Sequence, residues 1–110
     1  MAIKSGKVYF ITNFSEIKIG FTTLSPEKRL QQLNTGSSNQ LYLLGYISGS
    51  MQTESDLHKK FNNIRVRNNG EWFHGTDELI DYINKVNEWP NKFVMRNDFM
   101  DNKIMVMDKM

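Results

Sequence analysis

The segment Gly6–Thr12, GKVYFIT, is apolar at both phases of its alternation, with Val8 and Phe10 on one side and Tyr9 and Ile11 on the other. Successive side chains of a strand point to opposite faces, and a strand with no polar face has no side to give to solvent. That pattern predicts a central strand. The polar NFSE of Asn13–Glu16 reads as a turn. IKIGF alternates again, with Ile17 and Ile19 inward and Lys18 outward. Two alternating runs joined by a short polar link predict a β-hairpin.

Helix signals follow. In SPEKRLQQLNTG, Ser25 is a good N-cap and Pro26 suits the first helical position, where no N–H is needed. Leu30 and Leu33 form the buried stripe, and Gly36 is the expected stop. QLYLLGYI reads as a third strand with a bulge at Gly45. SMQTESDLHKKFNN reads as a second helix capped by Ser50, with Leu57 and Phe61 packed at i,i+4. IRVRNNGEWFHG is extended around an Asn68-Asn69-Gly70 turn. TDELIDYINKVNEW is a third helix, capped by Thr76, buried along Leu79, Ile80, Ile83 and Val86, and ended by Pro90. The order predicts an α/β (α+β) domain with a small, mostly antiparallel three-stranded sheet flanked by helices.

With 110 residues, the chain has room for one domain and hardly for two. Residues 1–90 form the expected domain. Residues 91–110 hold five of the seven methionines and read as a C-terminal tail, a terminal hairpin around DFMDN, or an adaptable surface for a partner. There is no cysteine, which excludes disulfides, thiolate metal sites and cysteine nucleophiles. The polar N-terminus is unlike a signal peptide, and no apolar run reaches spanning length. The expectation is a cytoplasmic protein with no membrane partner. Residues 1–70 carry nine Lys/Arg against four Asp/Glu, whereas residues 71–110 carry five against eight. A basic front part fits a polyanion, DNA or RNA alike.

Several side chains can carry chemistry. Glu54 and His58 lie four apart on one helix and share a face. A carboxylate there can hold one Mg²⁺ or Mn²⁺, and an imidazole can move a proton. Equally, Glu54 can simply favour the helix N-terminus, with His58 half-buried beside Phe61. Arg29 matches two phosphate oxygens at once or is a solvated surface residue. Tyr9 handles a proton in a cleft or anchors the core. Lys18 contacts phosphate if it borders a basic cleft. Arg65 and Arg67 alternate with Ile64 and Val66, giving a stripe for tracking a nucleic-acid backbone that Lys59 and Lys60 extend.

Taken in order, KVYFI, KIGFTTLSPEKRLQQLNTG, ESDLHKKF and GEWF resemble the GIY-YIG nuclease superfamily, and more closely its compact phage and meiotically up-regulated branch, over about residues 6–88. VYF stands at the GIY strand, so the resemblance assigns Tyr9 to its tyrosine. KIG stands at YIG, with Lys18 replacing tyrosine. Arg29 matches the first-helix arginine, Glu54 the metal-binding glutamate, and His58 is typical of the branch. An alternative alignment puts His58 at the metal position. Asn69 and Glu71 lie near the family's later asparagine. The first glycine of GIY is absent.

The resemblance implies a DNA endonuclease that uses one divalent ion. Tyr9, Lys18, Arg29 and His58 would be catalytic, and Glu54 would bind the metal. Lys18, Arg29, Lys59, Arg65 and Arg67 would contact nucleic acid. The alternative is a catalytically weak or inactive binding module of phage or mobile-element origin. A third reading is an interaction protein docking on a host protein through its tail. One active site cuts one strand, so a duplex break calls for a homodimer or a second event.

Overall fold

The computed structural model describes residues 5–35, 40–89, 92–97 and 103–108, the last two stretches as backbone alone. Strands β1 (Gly6–Thr12) and β2 (Glu16–Thr22) form the expected hairpin, with Lys7 opposite Thr22 and Thr12 opposite Ile17. Its turn is organised by the Asn13 side chain, whose Oδ1 accepts from the N–H groups of Ser15 at 3.0 Å and Glu16 at 2.8 Å.

Helix α1 (Pro26–Thr35) begins as read, with Ser25 Oγ accepting from the Lys28 N–H at 3.2 Å. The expected stop at Gly36 lies outside the described residues. Strand β3 (Tyr42–Gly49) pairs antiparallel with the free side of β1. The register slips between Phe10 and Ile11, which face Gly45 and Leu43, so Leu44 is the extra residue of a bulge. Helix α2 (Met51–Lys60) starts with a capping box: Ser50 Oγ accepts from the Gln52 N–H, and the Ser50 N–H donates to Thr53 Oγ1.

The sheet has four strands where the sequence pattern showed three. Strand β4 (Trp72–His74) joins the outer side of β2, giving the order β3-β1-β2-β4. Only these three residues of the extended segment enter the sheet as a strand. Asn62–Ile64 forms a single 3₁₀ turn and Arg65 bridges Phe73 alone. Arg67–Gly70 reverses the chain, with Asn69 at φ 62° and the Gly70 N–H bonded to the Arg67 carbonyl at 3.0 Å.

Both sheet faces are covered, as the two-sided apolarity of β1 demands. On one face Val8, Phe10, Ile17, Ile19 and Phe73 pack against Leu57 of α2, against Phe61 just past its end, and against Leu79, Ile80 and Ile83 of α3 (Asp77–Val86). On the other, Tyr9, Ile11, Leu41 and Leu43 meet Leu30 and Leu33 of α1, with Tyr46, Trp72 and Trp89. Each fully buried phenylalanine, such as Phe10 or Phe73, contributes about 2–3 kcal/mol by leaving water.

Helix α3 starts at its Thr76 cap and ends at Val86, well before Pro90. It stops there because Asn87 and Glu88 turn to the bare outer edge of β3. Asn87 Oδ1 accepts from the Tyr46 N–H at 3.0 Å, and Asn87 Nδ2 donates to the Leu44 carbonyl at 3.2 Å. The Glu88 N–H donates to the Tyr46 carbonyl, and the Glu88 carboxylate accepts from the Ser48 N–H and hydroxyl. Gly45 permits this approach, since a Cβ there would collide with the Asn87 amide.

Strands β5 (Lys92–Asn97) and β6 (Lys103–Asp108) pair antiparallel with each other, Lys92 opposite Asp108. The DFMDN residues between them lie outside the described residues. Among the described residues no helix is long and apolar enough to cross a membrane.

Candidate metal centre

Three elements converge beside the middle of β2. Helix α2 presents Glu54 and His58 one turn apart. The residue before β4 is Glu71, whose carbonyl accepts from the Ile19 N–H at 2.9 Å. One carboxylate oxygen from each glutamate and one His58 ring nitrogen lie within 4.8 Å of one another. All three residues are partly buried.

The imidazole is oriented. His58 Nε2 lies 2.8 Å from the Ile19 carbonyl. A carbonyl can only accept, so Nε2 carries the proton and Nδ1 keeps a free lone pair in the neutral ring. The ring is steadied by Phe73, with centroids 5.3 Å apart. A backbone carbonyl behind an imidazole is one of the usual outer partners of a metal-ligating histidine.

The two carboxylates repel. Burial raises the Glu54 pKa, the Glu71 charge raises it further, and His58 and Lys18 pull it down less strongly. Lys18 supplies the nearby cation, its Nζ donating to Glu71 Oε2 at 3.1 Å. Only 13% of the Lys18 side chain is exposed, against 44% for Glu71. The lysine read as outward-facing does leave the face of Ile17 and Ile19, but the face it enters is covered too. There its ammonium lies 5.8 Å from the centre of the Trp72 ring. Two carboxylates with one imidazole suit a hard-to-borderline divalent ion, Mn²⁺ more than Mg²⁺ because one donor is nitrogen.

The fold thus brings Glu54, His58 and Lys18 together and adds Glu71. Its signal was its place in GEWF, one residue before a strand that pairs with β2. Tyr9 is 1% exposed. Its ring and hydroxyl lie against Gly20, directly across the strand pair, where a Cβ would collide with them. Arg29 lines a separate groove of about 360 Å³ with Phe21, Leu24, Gln32 and Met51, and donates to Gln32 Oε1 at 3.1 Å. Lys59 and Arg67 are exposed. Arg65 is half-buried, its guanidinium 5.4 Å from the centre of the Phe73 ring that also supports His58. The strand pattern had put Arg65 and Arg67 in one stripe; the 3₁₀ turn and the reversal at Arg67–Gly70 break that strand.

The T5orf172 domain model matches residues 6–94, and the chain belongs to the T5orf172 domain family. This corrects the resemblance to the GIY-YIG superfamily, which is a different family. That resemblance rested on short fragments in order, and two of them depart at defining positions: Lys7-Val8-Tyr9 lacks the glycine, and Lys18 replaces a tyrosine. The family membership suggests a nuclease-like or nucleic-acid-binding module. No curated protein and no solved structure matches the chain.

Proposed function

We propose that this domain is a divalent-metal-dependent endonuclease acting on the phosphodiester backbone of DNA. The observation that supports it is the gathering of Glu54, His58 and Glu71 around one point, with Lys18 beside them. Glu54 is held above the ordinary carboxylate pKa, first by burial and then by the Glu71 charge, and a cation bound between the two carboxylates would relieve both effects. A bound Mg²⁺ or Mn²⁺ would supply positive charge to the phosphoryl oxygens and acidify a water.

The chain's own residues do the rest. Glu54 and Glu71 would hold the ion through oxygen and His58 would offer Nδ1, its ring fixed by the Ile19 carbonyl. Lys18 contacts a phosphate oxygen, which needs no change in its charge. Arg29, in the neighbouring groove one helical turn from Glu54 by way of Met51, holds a flanking phosphate. Lys59, Arg65 and Arg67 add backbone attraction. Tyr9, nearly sealed from solvent, sets the strand spacing at Gly20.

A second reading, a nucleic-acid-binding module without cleavage, is favoured by one observation. Tyr9 is buried against Gly20 and Arg29 is engaged with Gln32, and among the described residues no hydrogen bond or ion pair joins either to Glu54 or Glu71. Nicking of supercoiled plasmid with Mn²⁺, Mg²⁺ or EDTA separates the two. Metal-dependent nicking that falls at least about a hundredfold in Glu54→Ala and Glu71→Ala supports the nuclease, since each variant removes a ligand oxygen. DNA binding with no cleavage by any form supports the binding module. Cleavage indifferent to Glu54→Ala overturns the site.

A further inference from the structure

Lys18 and the divalent ion want the same carboxylate. The ammonium donates to Glu71 Oε2 at 3.1 Å, and Glu71 belongs to the group that would hold the ion. Two features keep Lys18 there. It pairs directly with Trp72 across β2 and β4, one residue from Glu71. Its side chain is largely shielded from water, with the Trp72 ring alongside. A lysine so enclosed has little access to bulk solvent, so an arriving cation competes with it for Glu71. The lysine must give up Glu71 or share it.

We propose that Lys18 is a built-in rival of the metal: its ammonium neutralises Glu71 before an ion arrives and then opposes entry of the ion, holding the affinity of the site down. The proposal rests on the metal-centre reading above. Its logic is electrostatic. Before the ion enters, the lysine makes two neighbouring carboxylates tolerable. Afterwards, a fixed positive charge lies a few ångströms from a divalent one. At such separations, even with the dielectric of water, the repulsion changes affinity about tenfold. The domain would then load metal at a concentration set by one side chain that need not be a ligand.

The test is direct Mn²⁺ binding by the full chain, followed by loss of the free-ion electron paramagnetic resonance signal at fixed pH. Lys18→Met and Lys18→Gln should bind Mn²⁺ about tenfold more tightly than wild type, because the opposing charge is gone. Lys18→Arg, which keeps the charge, should stay within about twofold. The gain from Lys18→Met should shrink when Glu71→Gln is already present, because the contested carboxylate is then missing. Lys18→Gln with Lys18→Arg carries the test if Lys18→Met fails to fold. Equal or weaker binding by the neutral variants, with Mn²⁺ still lost in Glu54→Ala, overturns the rivalry and leaves the metal centre standing. No Mn²⁺ binding by wild type or by any neutral variant overturns both.

Discussion

Glu54 links the site to stability. Its carboxyl has a pKa above the ordinary value, first through burial and then through the charge of Glu71. A carboxyl raised in the folded state favours folding below its unfolded pKa, and that contribution is lost as pH rises through the folded value. In metal-free protein, Glu54→Gln should therefore raise the urea midpoint at neutral pH. The advantage should vanish below about pH 4, where both states are protonated. Urea midpoints at several pH values check this, and equal midpoints at neutral pH would contradict the strain. Glu54 and His58 were legible because i,i+4 spacing places them on one helical face. Lys18 was legible as a strand cation, not as the partner of Glu71. The Glu71 role was not, because it depends on β4 pairing with β2 across some fifty residues of chain, which no local pattern reveals.

At the scale of elements, local chemistry was a good guide wherever one residue decided the outcome. Ser25, Ser50 and Thr76 each cap the helix they were expected to cap. The misses lie where tertiary contacts override local preference. Helix α3 stops at Val86 because the Asn87 amide is worth more on the β3 edge than as a further helical turn. Asn87→Ala should cost about 1–3 kcal/mol in urea denaturation, because the Tyr46 N–H and Leu44 carbonyl lose their partner in a part-buried site. A loss near zero would mean that water replaces the amide freely. Glu88, its neighbour, has a pKa held below the ordinary value, chiefly by the hydrogen bond from the Ser48 backbone. Its contribution runs opposite to that of Glu54, present above the ordinary carboxylate range and lost as pH falls through the lowered value.

For the molecule as a whole, charge and family point the same way. The basic front part belongs to the region that the family model matches. Lys28, Lys59, Lys60 and Arg67 are exposed, with the Lys60 ammonium lying over the Phe61 and Tyr82 rings. If they meet phosphate, log K for DNA should fall linearly with log salt. Replacing Lys59 or Arg67 by alanine should each reduce that slope by about 1. Fluorescence anisotropy of a labelled duplex at several salt concentrations checks this, and an unchanged slope would remove the residue from the interface.

The sealing of β3 has a consequence in time. Its outer edge is closed by residues 87–88, which follow α3 and are about forty positions away in the chain. If during refolding the β-hairpin and β3 associate before α3 docks, that edge stays open for a time. In that interval β3 offers unpaired N–H and C=O groups to any neighbouring chain. Damage to α3 would then show itself less as lost activity than as concentration-dependent loss of refolding yield.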